Sequence, residues 1–151
     1  MTAMLMQERF QEAAAPFVEF GGHTVWAIHD LPLVPILRIH FQSANEERPQ
    51  GIGLEAKGSP IEINGEQRGE FRLWTDSAPE RVDVKVVDFA RLRQLRVWNT
   101  WKYPNGATDA WTGNFGMVVE HDEGGLSFRC SDGLGEAGFT DLVFRVETVM
   151  S

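Results

Sequence analysis

The sequence contains one cysteine in 151 residues, Cys130, which excludes an intramolecular disulfide and any metal site built on paired thiolates. Uninterrupted apolar stretches of the roughly 18 residues needed to span a bilayer are absent. The N-terminus, Met1 to Arg9, has neither the basic start nor the apolar run of a secretory signal. The expectation is therefore a soluble, cytoplasmic protein that does not engage a membrane. Basic residues are also in the minority: 14 Lys and Arg against 22 Asp and Glu give a net charge of −8. That balance argues against nucleic acid as a partner, because phosphate binding rests on Lys and Arg. Neither half carries a charged tail, with six bases against ten acids in residues 1–75 and eight against twelve in residues 76–151.

Catalytic and metal-binding signatures are missing too. There is no HExxH, no cupin-like pair of histidines and no Gly-x-Ser-x-Gly elbow. His23 and His29 read as one face of one strand, where six residues separate them by about 20 Å, too far to share a metal. His40 and His121 lie elsewhere in the chain. Asn99, Asn105, Asp109, Asn114, Asp132 and Asp141 supply hard oxygen atoms, but not in the D-x-D-x-D-G order of a calcium loop. Gly133, Gly135 and Gly138 have G-x-G-x-x-G spacing without the strand and helix that a dinucleotide site requires. The sequence thus predicts no metal and no cofactor. Cys130 alternates with Ser127, Arg129 and Ser131 on the apolar side of a strand, which makes it a core thiol.

What is present is period-two alternation. Residues 3–14 form the one helix candidate, with Met6, Phe10, Ala13 and Ala14 on one face and Pro16 as its stop. From Phe17 onward, strands are predicted over 23–29 and 34–41, with Pro35 marking a sheet edge or a strand start. A hairpin turns at Asn64-Gly65 and continues to Trp74. Further strands follow over 82–87, 95–103, 115–121, 126–130 and 139–149, with one helical turn within 88–94. About ten short strands separated by turn residues argue for an all-β, antiparallel sandwich or barrel-like fold. The division is a helical segment at 1–16 docked on a single β domain at 17–151.

Tryptophan gives the strongest local signal. Trp98, Trp101 and Trp111 fall close together. On the strand over 95–101, Leu95, Val97, Asn99 and Trp101 share one face, and Arg96, Trp98 and Thr100 the other. One of Trp98 and Trp101 is predicted to be core. The other is predicted to lie on a polar sheet face, as in the aromatic platforms that hold sugar rings or partner side chains.

The stretches Phe71–Pro79, Leu95–Trp101, Gly116–Glu120, Phe128–Gly133 and Phe139–Phe144 carry the patterns Leu-Trp-x-Asp-x-Ala-Pro, Asn-x-Trp and Arg-Cys-x-Asp-Gly. In this the chain resembles small bacterial proteins of uncharacterised function. The resemblance implies no activity, but directs attention to Trp74, Asp76, Asn99, Trp101, Arg129, Asp132 and Asp141. With Trp98, Trp111 and Asn114 these are the candidate ligand-binding residues.

Three functions are open at this point. The first is a non-enzymatic binding module for a polar small ligand, carbohydrate included, or for a protein. The second is an immunity-type protein that neutralises a basic bacterial toxin, which the −8 charge would help to steer. The third is an enzyme using Asp132 and Asp141 as paired carboxylates with Arg129 nearby. A homodimer is one way to cover edge strands, the N-terminal helix another.

Overall fold

The computed structural model describes residues 4–149. After the helix α1 (Met6–Ala13) come β1 (Phe17–Phe20), β2 (His23–Trp26), β3 (His29–Asp30), β4 (Ile36–Ala44) and β5 (Gln50–Lys57). Next are β6 (Ile61–Ile63), β7 (Glu66–Arg68), β8 (Glu70–Trp74) and β9 (Arg81–Val86), then one 3-10 turn at Phe89–Arg91. The chain closes with β10 (Gln94–Lys102), β11 (Thr108–Asp109), β12 (Gly116–Asp122), β13 (Gly125–Ser131) and β14 (Leu142–Thr148). All pairings are antiparallel. One sheet has the order β1-β2-β12-β13-β14-β4-β9-β6-β7; the other has β11-β10-β5-β8, with β3 also on β10. The fold is all-β and sandwich-like with a short N-terminal helix, as the alternation predicts.

Alternation decides which side of each strand is buried. Ile39, Phe128, Phe144 and Val146 from the large sheet pack against Ile52, Leu54 and Val97 from the small one. Cys130 lies in the same core, where burial pushes its thiol well above the usual range. Pro35 precedes a strand start, since β4 begins at Ile36 and sits inside the large sheet.

Two predicted strands are each split between the sheets. The run 23–29 breaks after Trp26: β2 pairs with β12 in the large sheet and β3 with β10 in the small one. His23 and His29 therefore do not share a strand face. The run from Glu66 to Trp74 likewise divides at Gly69, β7 joining the large sheet and β8 the small one. The turn between β6 and β7 is as predicted, with Asn64 and Gly65 both at positive φ (52° and 84°).

The helix packs on the opposite side of the large sheet. Met6 and Phe10 join Val25, Val118, Phe115, Phe139 and Trp101 in a second apolar cluster, and Phe10 stacks on Phe115 at 5.0 Å. Ala13 and Ala14, predicted on the buried face, are exposed because the helix ends there with Ala14 in the left-handed region. Of the predicted helix, residue 3 lies outside the described residues. The first N–H groups of so short a helix need partners from outside. Asn114 Oδ1 accepts from Met6 N (3.1 Å), and the Gly113 carbonyl accepts from Gln7 N (2.9 Å).

The β12–β13 hairpin is locked by charge. Arg145 donates to both oxygens of Asp122 (2.6 and 2.7 Å), and Gly124 and Gly125 N–H groups donate to Oδ1. The guanidinium first, and then the Gly124 amide, hold the Asp122 carboxyl at about 2, below its ordinary 3.8. A lowered folded-state value stabilises the hairpin above the ordinary value, and this contribution disappears as pH falls toward 2. A carboxyl-detected NMR titration should place the Asp122 midpoint near 2, and in Arg145→Gln it should return toward 3.8.

Candidate functional site

Four of the sequence candidates converge at one end of the sandwich. Asp132, fully buried, accepts from Arg48 Nε (2.9 Å) and Gln50 Nε2 (3.0 Å) at Oδ2, and from Leu134 N at Oδ1 (3.0 Å). Asp141 accepts from Asn45 Nδ2 (2.9 Å) and from the Asp132 N–H (3.0 Å). Asn99 donates to the Ser131 carbonyl at 2.8 Å, and Trp101 pairs across the ladder with Gln50. Every carboxylate oxygen of Asp132 and Asp141 is thus engaged by a donor of the protein itself. Gln50 Oε1, Asn99 Oδ1 and Trp101 Nε1 are sealed there without a partner among the described residues. Arg129, expected beside these carboxylates, instead pairs with Glu120 at 3.0 Å; the neighbouring guanidinium is that of Arg48.

The predicted exposed platform is also corrected. Trp98 and Trp101 are both buried, at 2% and 0% exposure, although they point to opposite faces of β10. Trp98 lies against Gly53 on the outer face of the small sheet, where the glycine leaves the space its ring fills. Trp111 covers it at 5.3 Å, and the Arg72 guanidinium lies 4.7 Å from its ring centre. Trp111 is the exposed indole, and its Nε1 donates to the Ala27 carbonyl at 2.9 Å. Trp74 sits beside Gly51 in the same manner, with Lys102 Nζ 4.3 Å from its ring centre. Trp98 and Trp74 thus each carry one of the protein's own cations over a ring face, and Trp98 is covered by Trp111 as well.

Asn114 holds the helix start and donates to the Gly135 carbonyl, which makes it a structural tie. His29 and His121 approach within 6.1 Å of one another, burial holding the His29 pKa below its ordinary value. Among the described residues no group of three or more His, Cys, Asp or Glu is placed to hold a metal ion. No described helix is long and apolar enough to cross a membrane.

A cleft of about 610 Å³ opens along the side of the sandwich where the chain leaves β8, crosses through residues 75–80 and enters β9 in the other sheet. This is the size range of ligand pockets. Trp74 lines it, while Asp76 is exposed in the crossing segment. Leu73, Ala78 and Val82 give it an apolar part, and the Asn64-Gly65 turn bounds it. Its charged groups are Arg72, Arg81, Lys85, Glu62 and Asp83. Asp83 is bound by Arg38 at 2.8 Å, which lowers its pKa; Arg72 pairs with Glu70, and Glu62 accepts from Gln67. Arg81 and Lys85 have no carboxylate within 4.0 Å among the described residues. Sequence reading missed these cations. The only available signal was the alternation Arg81-Val-Asp-Val-Lys85, which puts three charged side chains on one face.

No protein-family model, curated protein or solved structure matches this chain.

Proposed function

We propose that this protein is a non-catalytic binding module whose polar ligand lies in the cleft between β8 and β9. The observation that carries the reading is a pair of cations, Arg81 and Lys85, with no carboxylate within 4.0 Å among the described residues, lining a ligand-sized cleft in a chain of net charge −8. In a protein with surplus carboxylates, cations without partners are available to a ligand's acidic or hydrogen-bond-accepting groups. Binding without chemistry suits the groups present. The cleft's Asp83 carboxyl is held ionised by Arg38, whereas a general acid needs its pKa raised toward neutrality. In the buried Asp132–Asp141 network each carboxylate oxygen is engaged by the protein's own donors, which suits a supporting role.

Amide-detected NMR of the intact chain tests this directly. Sugar acids, amino acids and neutral sugars are added singly. Shifts confined to residues 72–74 and 77–85, and reduced in an Arg81→Gln, Lys85→Gln double variant, are expected for the acidic compounds. Shifts centred on Trp111 and residues 133–138 would move the site elsewhere.

A further inference from the structure

Successive side chains of a strand point to opposite faces, so a cavity lined by consecutive residues must run along the strand's edge. Arg72, Leu73 and Trp74 are consecutive, and so are Arg81, Val82 and Asp83. Both strands are open on this side. Among the described strands β8 pairs with β5 alone, in unbroken register from Gly51–Trp74 to Glu55–Glu70; at its end the Trp74 carbonyl accepts from Ser77 and Ala78 N–H, which leaves the edge open over Glu70–Leu73. β9 pairs with β4 throughout, but with β6 only at Lys85 and Val86. Natural edge strands are blunted by proline, by bulges or by a cover, because an unpaired row of N–H and C=O groups invites another strand. β8 has neither proline nor bulge; its charged Glu70 and Arg72 are the one device it carries in its five residues.

We infer that the ligand is an extended acidic peptide, added as a further strand to the free edge of β8, with carboxylates directed at Arg81 and Lys85. The inference rests on the cleft being the binding site and names the class of molecule it takes. Main-chain hydrogen bonds to β8 would supply affinity. Alternate side chains would supply selectivity, one set against Leu73, Ala78 and Val82 and the other toward the cations. A basic segment would meet the cleft's cations Arg72, Arg81 and Lys85, which outnumber its carboxylates Glu62 and Asp83, so the cleft discriminates by sign as well as by shape.

The experiment is selection of random hexapeptides displayed on phage against the purified chain, followed by NMR with the enriched peptide made synthetically. Sequences alternating acidic and apolar residues are expected. Binding should slow solvent exchange of amides in Arg72–Trp74. Methylating alternate backbone nitrogens of the peptide, or the Arg81→Gln, Lys85→Gln double variant, should weaken it by about tenfold or more. Both substituted residues are exposed, so the variant keeps the fold. Enrichment without acidic residues, no enrichment, or indifference to backbone methylation would overturn the peptide assignment. Free glutamate or galacturonate is added in parallel. If either still shifts cleft amides, the cleft survives as a site for small acids; if neither does, both readings fall.

Discussion

Gly53→Ala is expected to lower the unfolding free energy by about 2–3 kcal/mol, the upper part of the range for a methyl forced into a filled space. A Cβ on Gly53 would lie 2.2 Å from the Trp98 ring. The indole has little room to retreat. Trp111 is against it at 5.3 Å, Arg72 is over it at 4.7 Å, and Trp111 is itself held by its hydrogen bond to Ala27. With total stability for a small protein of about 5–15 kcal/mol, this is a large fraction. The measurement is a urea titration, where the midpoint should drop with the slope unchanged. Gly69→Ala serves as the control, since its nearest atom would be a carbonyl oxygen 3.7 Å away. Shrinking the ring with Trp98→Phe should recover part of the loss, making the two changes non-additive. An unchanged midpoint in Gly53→Ala would mean that the indole is not pinned.

The second large effect belongs to Asp132. Asp132→Ala removes the acceptor shared by Arg48 and Gln50 and the one that holds the Leu134 amide. Breaking one partner of a buried ion pair typically costs about 3–5 kcal/mol. The lower end is expected here, because the Arg48 side chain retains 19% exposure and can still reach water. A double-mutant cycle with Arg48→Met separates the pair from the rest of the network. Once the guanidinium is gone, losing the carboxylate should hurt less, and strictly additive costs would refute the coupling. Chain segments on both sides of residues 133–138 should lose amide protection together, since Asp141 and Ser131 fasten the same loop.

The same residues explain what was legible in the sequence. Strands with β-branched or aromatic alternation, such as Arg81–Val86 and Leu126–Cys130, were readable because one face is apolar and the other charged. β5 was not. Gly51 and Gly53 give Gln50–Lys57 the look of a loop, yet it is the strand between β10 and β8. Its glycines are required by Trp74 and Trp98 lying over them, a fact about two other strands. The split runs at residues 23–29 and 66–74 were equally hidden, because alternation says that a segment is extended and not which sheet it joins. Asn99, Asp132 and Asp141 were legible only as members of a wider set of Asn and Asp residues with Asn105, Asp109 and Asn114; their convergence was not, because the partners Arg48, Gln50 and Asn45 come from a distant part of the chain. The cleft was invisible for a similar reason. It exists only because β8 and β9 follow each other in sequence while belonging to different sheets.

The strand order of the large sheet also constrains how the chain can be made. β12, β13 and β14 stand between β2 and β4. As the polypeptide emerges from the ribosome, β2 can pair with β1 and β4 with β9, but their other partners, β12 and β14, are synthesised more than 70 residues later than β4. The join between the β1–β2 pair and the β4–β9 pair therefore waits for β12, β13 and β14, and carries the slow kinetics of long-range pairing. Until then β2 and β4 each keep one unpaired edge, and a chain stalled before Gly116 would expose both to pairing with a neighbouring chain.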